Sequence, residues 1–174
     1  MHGTGVDKGR KVEVRMKDGT NKYTVRARRE YMEKSDVTKM EDRVIAALFN
    51  RPPSPGFPLR VEVGKKRTSG KLSVVPIVVH IPIGALTTLP NGSEYNGAFS
   101  VYFAWGGMLG GVSETKRDTK TFKIPAAEIE KARAEGRMTY EFDLAYNPRT
   151  ERVALGVVDE VSKEYALRLI RLKK

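Results

Sequence analysis

The chain contains no cysteine, which excludes disulfide staples, thiolate metal sites and cysteine nucleophiles together. Histidine, the commonest general base, occurs twice. His2 lies at the terminus, and His80 stands in a strand-like run with no neighbouring carboxylate or second histidine in sequence, where a structural role is expected. No apolar run approaches the roughly 20 residues that span a bilayer, and Met1-His2-Gly3-Thr4-Gly5 lacks the apolar core of a signal peptide. Gly106-Gly107-Met108-Leu109-Gly110-Gly111 is followed by Val112-Ser113-Glu114, without the lysine and hydroxyl residue that a phosphate-cradling loop requires, and reads as a loop between strands. No Gly-x-Ser-x-Gly nucleophile turn is present. The single tryptophan, Trp105, and the tyrosines fall at alternating core positions, so they do not form a base-stacking platform.

What the chain does have is length and charge. Its 174 residues suffice for one domain with a real core, or a domain with a structured extension. Hydrophobic content of 40% and charged content of 30% are ordinary for a globular protein. The net charge is +11, which raises association with any polyanion. The candidate contacts are Lys11, Arg15, Lys22, Arg26, Arg28 and Arg29, dense near the start of the chain. Most cations are interleaved with apolar residues at strand spacing, as on the solvated face of a sheet, and this argues against a dedicated nucleic-acid surface.

Period-two alternation dominates the pattern. Val12, Val14 and Met16 alternate with Glu13 and Arg15, Asp18-Gly19 supplies a turn, and Tyr23, Val25 and Ala27 resume, predicting a β-hairpin. Ser35-Asp36 offers N-cap oxygens, and Thr38 with Glu41 has capping-box spacing. Met40, Val44, Ala47 and Leu48 then recur at helical spacing. The helix must end at Arg51-Pro52-Pro53-Ser54-Pro55-Gly56-Phe57-Pro58, since proline cannot continue it. The expected organisation is therefore an N-terminal hairpin-and-helix extension over 1–50, a Pro-rich linker over 51–58, and a main domain over 59–174.

In the main domain, strand-like runs begin near residues 59, 72, 98, 120, 138, 151 and 164. Val75, Ile77, Val79 and Ile81 share one face of the second run, whose Pro76 lacks a ladder donor and places that strand at an edge, or with a bulge of its own there. Phe99, Val101, Phe103 and Trp105 share a face, as do Met138, Tyr140, Phe142, Leu144 and Tyr146, and then Val153, Leu155 and Val157. In the last run Tyr165, Leu167 and Leu169 form the apolar set. Pro125 to Arg133 reads as a short helix stopped by Gly136. Seven runs separated by turn signals predict a mainly β fold, an antiparallel immunoglobulin-like β-sandwich. The carboxylate pairs Glu41-Asp42, Glu128 with Glu130, and Asp159-Glu160 sit where helix starts, helix surfaces and turns place negative charge. No catalytic, cofactor or metal-ligating set is expected.

Three passages carry a resemblance: 11–31, with its tyrosine-ended hairpin; Val74-Val75-Pro76-Ile77-Val78-Val79-His80-Ile81-Pro82; and Arg152-Val153-Ala154-Leu155-Gly156-Val157-Val158-Asp159-Glu160-Val161-Ser162. Together they resemble the C-terminal region of bacterial von Willebrand factor A-related domain proteins, the first passage matching the end of the A-type domain and the others the sandwich after it. The Asp-x-Ser-x-Ser metal-adhesion run of A-type domains is missing, so that metal site does not carry over. Glu30 and Lys163 stand where such proteins often have glycine. The resemblance implies a non-enzymatic accessory module, an extracytoplasmic setting, and a protein partner or adjacent A-type domain. Composition alone offers the alternative of a basic module for polyanions: nucleic acid, anionic cell-wall polymer or lipid surface.

Overall fold

A computed structural model describes residues 6–14, 26–50, 56–107, 111–150 and 152–172. The chain forms two compact units, Met1–Asp42 and Arg43–Lys174. In the first, strand β1 (Lys8–Lys11) pairs antiparallel with β2 (Glu30–Glu33), from Lys8 opposite Glu33 to Lys11 opposite Glu30. The ladder continues through the Val12 N–H, which donates to the Arg29 carbonyl at 2.8 Å. Of the predicted hairpin, Arg15 to Val25 lie outside the described residues, including the Asp18-Gly19 turn. Helix α1 (Asp36–Phe49) crosses the division between the units. Ser35 is its cap, with Oγ accepting the Thr38 N–H at 3.1 Å, and Thr38 falls within the first turn.

The second unit is a β-sandwich, as the alternation predicts. One sheet contains β3 (Arg60–Val63), β4 (Arg67–Ser69), β5 (Leu72–Pro82) and β10 (Arg137–Tyr146), with β10 on one side of β5 and β3 and β4 on the other. The other contains β6 (Leu89–Asn91), β7 (Glu94–Gly107), β8 (Gly111–Val112), β9 (Lys116–Pro125), β11 (Arg152–Asp159) and β12 (Tyr165–Arg171). Here β9 and β11 flank β7, and β12 lies beyond β11. Constant-type immunoglobulin domains place the fourth long strand beside the fifth; in this chain it stands beside the third, as the β9–β7 pairing. Between β9 and β10 a 3-10 turn, Ala126–Glu128, leads into α2 (Ile129–Glu135), closed by the Gly136 N–H on the Ala132 carbonyl.

One apolar cluster fills the space between the sheets. Ile77, Val79 and Ile81 from β5 meet Val101 from β7 and Val153, Leu155 and Val157 from β11, all fully buried. Phe57, from the segment expected as a linker, is buried in the same cluster, and Gly56 donates to the Tyr165 carbonyl; residues 51–55 lie outside the described residues.

Two local results refine the sequence reading. β5 is flanked on both sides, so it is not the edge strand that Pro76 suggested, and the bulge near Pro76 lies in the neighbouring strand and not in β5 itself. Val63 faces Ile77 and Arg67 faces Val74, so the β3–β4 side spends one more residue than β5 over this stretch. The Gly64 N–H donates to the Pro76 carbonyl at 2.9 Å, and a Cβ on Gly64 would stand 2.5 Å from the Pro76 ring. In β12 the expected apolar set faces away from the cluster: Ala166 and Ile170 enter it, while Tyr165, Leu167 and Leu169 share the outer face with Ala154, Gly156 and Val158. Helix α1 explains why that outer face is apolar too. Arg152 donates to the Leu48 carbonyl at 2.9 Å and the Arg43 guanidinium lies 4.4 Å from the Tyr165 ring, which sets the buried Val44, Ala47 and Leu48 against β11 and β12.

Gly97 marks a close approach between strands. It faces Phe122, and a Cβ there would meet the ring at 2.3 Å. Gly97→Ala is expected to cost about 1–3 kcal/mol by overpacking, read as a lowered urea midpoint; an unchanged midpoint would contradict this ring placement.

Candidate functional site

The β1–β2 ribbon has no buried strand residue. Each of its strand residues is exposed, and among the described residues of the first unit only Ser35 and Met40 are buried. Val6, Val12, Val14, Tyr31 and Met32 are solvent-facing, Met32 at 60%. A two-stranded ribbon without a buried face is at best marginally stable in water.

Local hydrogen bonds anchor the ribbon to the helix start. Asp7 Oδ1 accepts the Ser35 N–H and the Thr38 hydroxyl, both at 2.8 Å. The Ser35 backbone bond, with help from Thr38, holds the Asp7 carboxyl below the usual carboxylate range. Glu33 pairs with Arg10 at 2.7 Å, and Lys34 with Asp42. With Asp7 and Glu33 so engaged, Lys8, Lys11, Arg26, Arg28 and Arg29 have no ion pair among the described residues. Of the predicted polyanion contacts, Lys11, Arg26, Arg28 and Arg29 are therefore exposed, and Lys11 and Arg29 flank the same step of the ladder. Arg15 and Lys22 lie outside the described residues.

The sandwich carries three polar clusters whose groups are engaged by neighbours, and a histidine, His80, whose buried Nε2 makes no hydrogen bond. Asp159 is fully buried: it accepts the Thr87 N–H at 2.8 Å, the Val161 N–H at 2.9 Å and the Ser162 hydroxyl at 2.7 Å. Burial pushes its carboxyl up, but the hydrogen bonds from Ser162, Thr87 and Val161 outweigh burial and leave it below its ordinary range. On the outer face of β7, the fully buried Ser100 donates to Glu160 and meets Thr119 Oγ1 at 2.7 Å, while Arg117 and Lys163 reach Glu160 at 3.1 and 2.5 Å. For Glu160 burial again raises and its partners Lys163, Ser100 and Arg117 lower, with a net lowering. A carboxylate so stabilised is a weak base for a serine hydroxyl.

Between the facing edges of the two sheets lies an open cavity of about 310 Å³, lined by Phe99, Asp118, Lys120, Phe122, Met138 and Tyr140 among others. Tyr140 Oη donates to Asp118 at 3.0 Å across it. Burial and then Asp118 push the Tyr140 phenol up to about 12. His80 Nε2 stands 3.3 Å from Glu62 Oε1, itself 2.9 Å from Arg60. No group of three or more potential metal ligands occurs among the described residues.

Sequence reasoning missed the Asp118–Tyr140 bridge, although its signal was present. Lys116, Asp118 and Lys120 share parity with Phe122 and Ile124, so charge continues along a core-facing side. The engagement of Ser100 and Glu160 had no such signal, because 60 residues separate them and only the fold joins them.

No helix of the described residues is long and apolar enough to cross a membrane. In comparisons with known proteins, the chain matches no family model and no curated protein. Among solved structures it is similar to the solution structure of CsgH from R. palustris, at 15% identity and a TM-score of 0.32, over 66% of this chain and 92% of that one.

Proposed function

We propose that this chain is a non-enzymatic β-sandwich accessory module of a von Willebrand factor A-related protein, working through protein contact beside an A-type domain in an extracytoplasmic setting. The observation that carries this reading is the β1–β2 ribbon, exposed at every strand residue and bearing Tyr31 and Met32 outward. Such a ribbon gains stability from a partner sheet or surface. The polar clusters of the sandwich, by contrast, spend their hydrogen bonds on their own neighbours, and Ser100 has no strong base beside it. The resemblance over residues 11–31 supplies the neighbour's identity.

An NMR titration of the full chain with a purified A-type domain from the same organism tests this reading. Shift changes are expected at 8–11 and 30–33, with the sandwich unmoved; no change at any concentration, or changes confined to the sandwich, would overturn it.

A second reading is favoured by one feature, the cations Lys8, Lys11, Arg26, Arg28 and Arg29 without ion pairs among the described residues. It makes the ribbon a polyanion contact, with binding that falls steeply as salt rises. Titration with nucleic acid and with an anionic cell-wall polymer across a salt series decides it: absence of binding near physiological ionic strength removes it.

A further inference from the structure

The edges of the sandwich are not equivalent. Native sheets protect edge strands with bulges, short strands and inward-pointing charges. The β3–β4 edge is short and bulged opposite Pro76. β9 turns Lys116, Asp118 and Lys120 toward the interior, opposite Phe103, Val101 and Phe99. β12 turns Arg168 inward, opposite Leu155. β10 has none of these devices. Its register on β5 is unbroken from Arg137 opposite Pro82 to Tyr146 opposite Ser73, it contains no proline, and its inward side chains are Met138, Tyr140, Phe142, Leu144 and Tyr146.

The polar atoms of that free edge can be assigned. A strand residue directs its N–H and C=O to the same side, and antiparallel pairs alternate between bonded and unbonded. The Pro76 carbonyl accepts from Gly64, so Pro76 faces the β3–β4 side. Asp143, opposite Pro76, therefore directs its backbone away from β5, as do Arg137, Thr139 and Glu141 at the same parity. The side chains of these four residues are on the exposed outer face.

We propose that β10 is a homodimer interface, pairing antiparallel with β10 of a second copy about a twofold axis at Tyr140. This register places the four outward-bonding residues opposite one another as bonded pairs: Arg137 faces Asp143 of the other copy and Thr139 faces Glu141. Charge complementarity favours it over registers centred nearer the C-terminus, and it pairs all four outward residues, whereas an axis at Thr139 would pair only Arg137, Thr139 and Glu141. Centring the axis one residue pair toward the C-terminus at the same parity would set Glu141 against Glu141 or Asp143, which is repulsive. In the selected register Met138 faces Phe142 of the second copy, a favourable sulfur–aromatic pairing, and both side chains are half-exposed in the single chain. Asp143 already holds Arg67 on one side and accepts Arg137 of the second copy on the other. This inference concerns the second unit and is independent of the proposed role of the ribbon.

Sedimentation equilibrium of the full chain over a concentration series tests it, with circular dichroism to verify folding. The expected mass is twice 19.5 kDa. Arg137→Asp and Asp143→Arg should each give the monomer mass, and the two combined in one chain should restore the dimer. Thr139→Pro should also give a folded monomer, since the Thr139 N–H makes no ladder bond within the chain. Should Asp143→Arg fail to fold for loss of the Arg67 pair, Arg137→Asp and Thr139→Pro decide alone. A wild-type chain monomeric throughout, a dimer that survives Thr139→Pro, or a folded double swap that remains monomeric would each overturn the proposal. So would protection of β10 that arises only on adding a strand from a different protein.

Discussion

Leu155→Ala is expected to destabilise the sandwich by about 3–4 kcal/mol. Leu155 is fully buried on β11, the strand between β7 and β12, and it faces Phe103 on one side and Arg168 on the other. Its side chain enters the cluster shared by both sheets. Truncation removes the transfer free energy of the lost methyl groups and leaves a cavity that close-packed neighbours cannot fill. Because single domains are stable by only about 5–15 kcal/mol, the loss should be plain in a urea titration followed by Trp105 fluorescence. The midpoint should drop sharply with the slope unchanged. A loss below about 1 kcal/mol would contradict a closed core between the sheets.

Asp159→Ala should cost about 3 kcal/mol, although it removes a charge and few atoms. The carboxylate ties the turn after β11 to the segment at Thr87, and its loss strands the half-buried N–H groups of Thr87 and Val161. Its pH dependence follows from the direction of the shift. The folded-state carboxyl lies below its ordinary value of 3.8, so the stabilisation is fully present above that value and is lost as pH falls through the lowered one. The stability gap between wild type and Asp159→Ala should be constant near neutrality and narrow below about pH 4. A gap that stays constant to pH 3 would show that Asp159 does not act as an ionised acceptor.

Much of this architecture can be read from alternation alone, because a half-buried strand must place apolar residues at every second position. The faces of β5, β7 and β10 are found where that pattern puts them, as is the Val153–Leu155–Val157 face of β11. Reading failed where a strand is covered on both sides. β12 shows a strong Tyr165–Leu167–Leu169 pattern, yet that set lies on the outer face beside α1, while Ala166 and Ile170 fill the interior. Periodicity identifies an apolar face but not which neighbour covers it. Pro76 pointed to an edge or a bulge in its own strand, whereas the bulge belongs to the partner, at 64–66. Of the candidate site, the basic residues of the ribbon were legible as composition. That Lys8, Lys11, Arg26, Arg28 and Arg29 have no ion pair among the described residues, while Asp7 holds the helix start and Glu33 holds Arg10, is something only the fold arranges.

The central claim is that the sandwich has a closed core while the β1–β2 ribbon is exposed at every strand residue. Amide hydrogen exchange of the full chain alone tests it most directly. Residues 8–11 and 30–33 should exchange with little protection, while the amides of β5, β7 and β11 approach the protection set by global unfolding. Strong protection of the ribbon at the level of the sandwich, unchanged across protein concentration, would contradict the account.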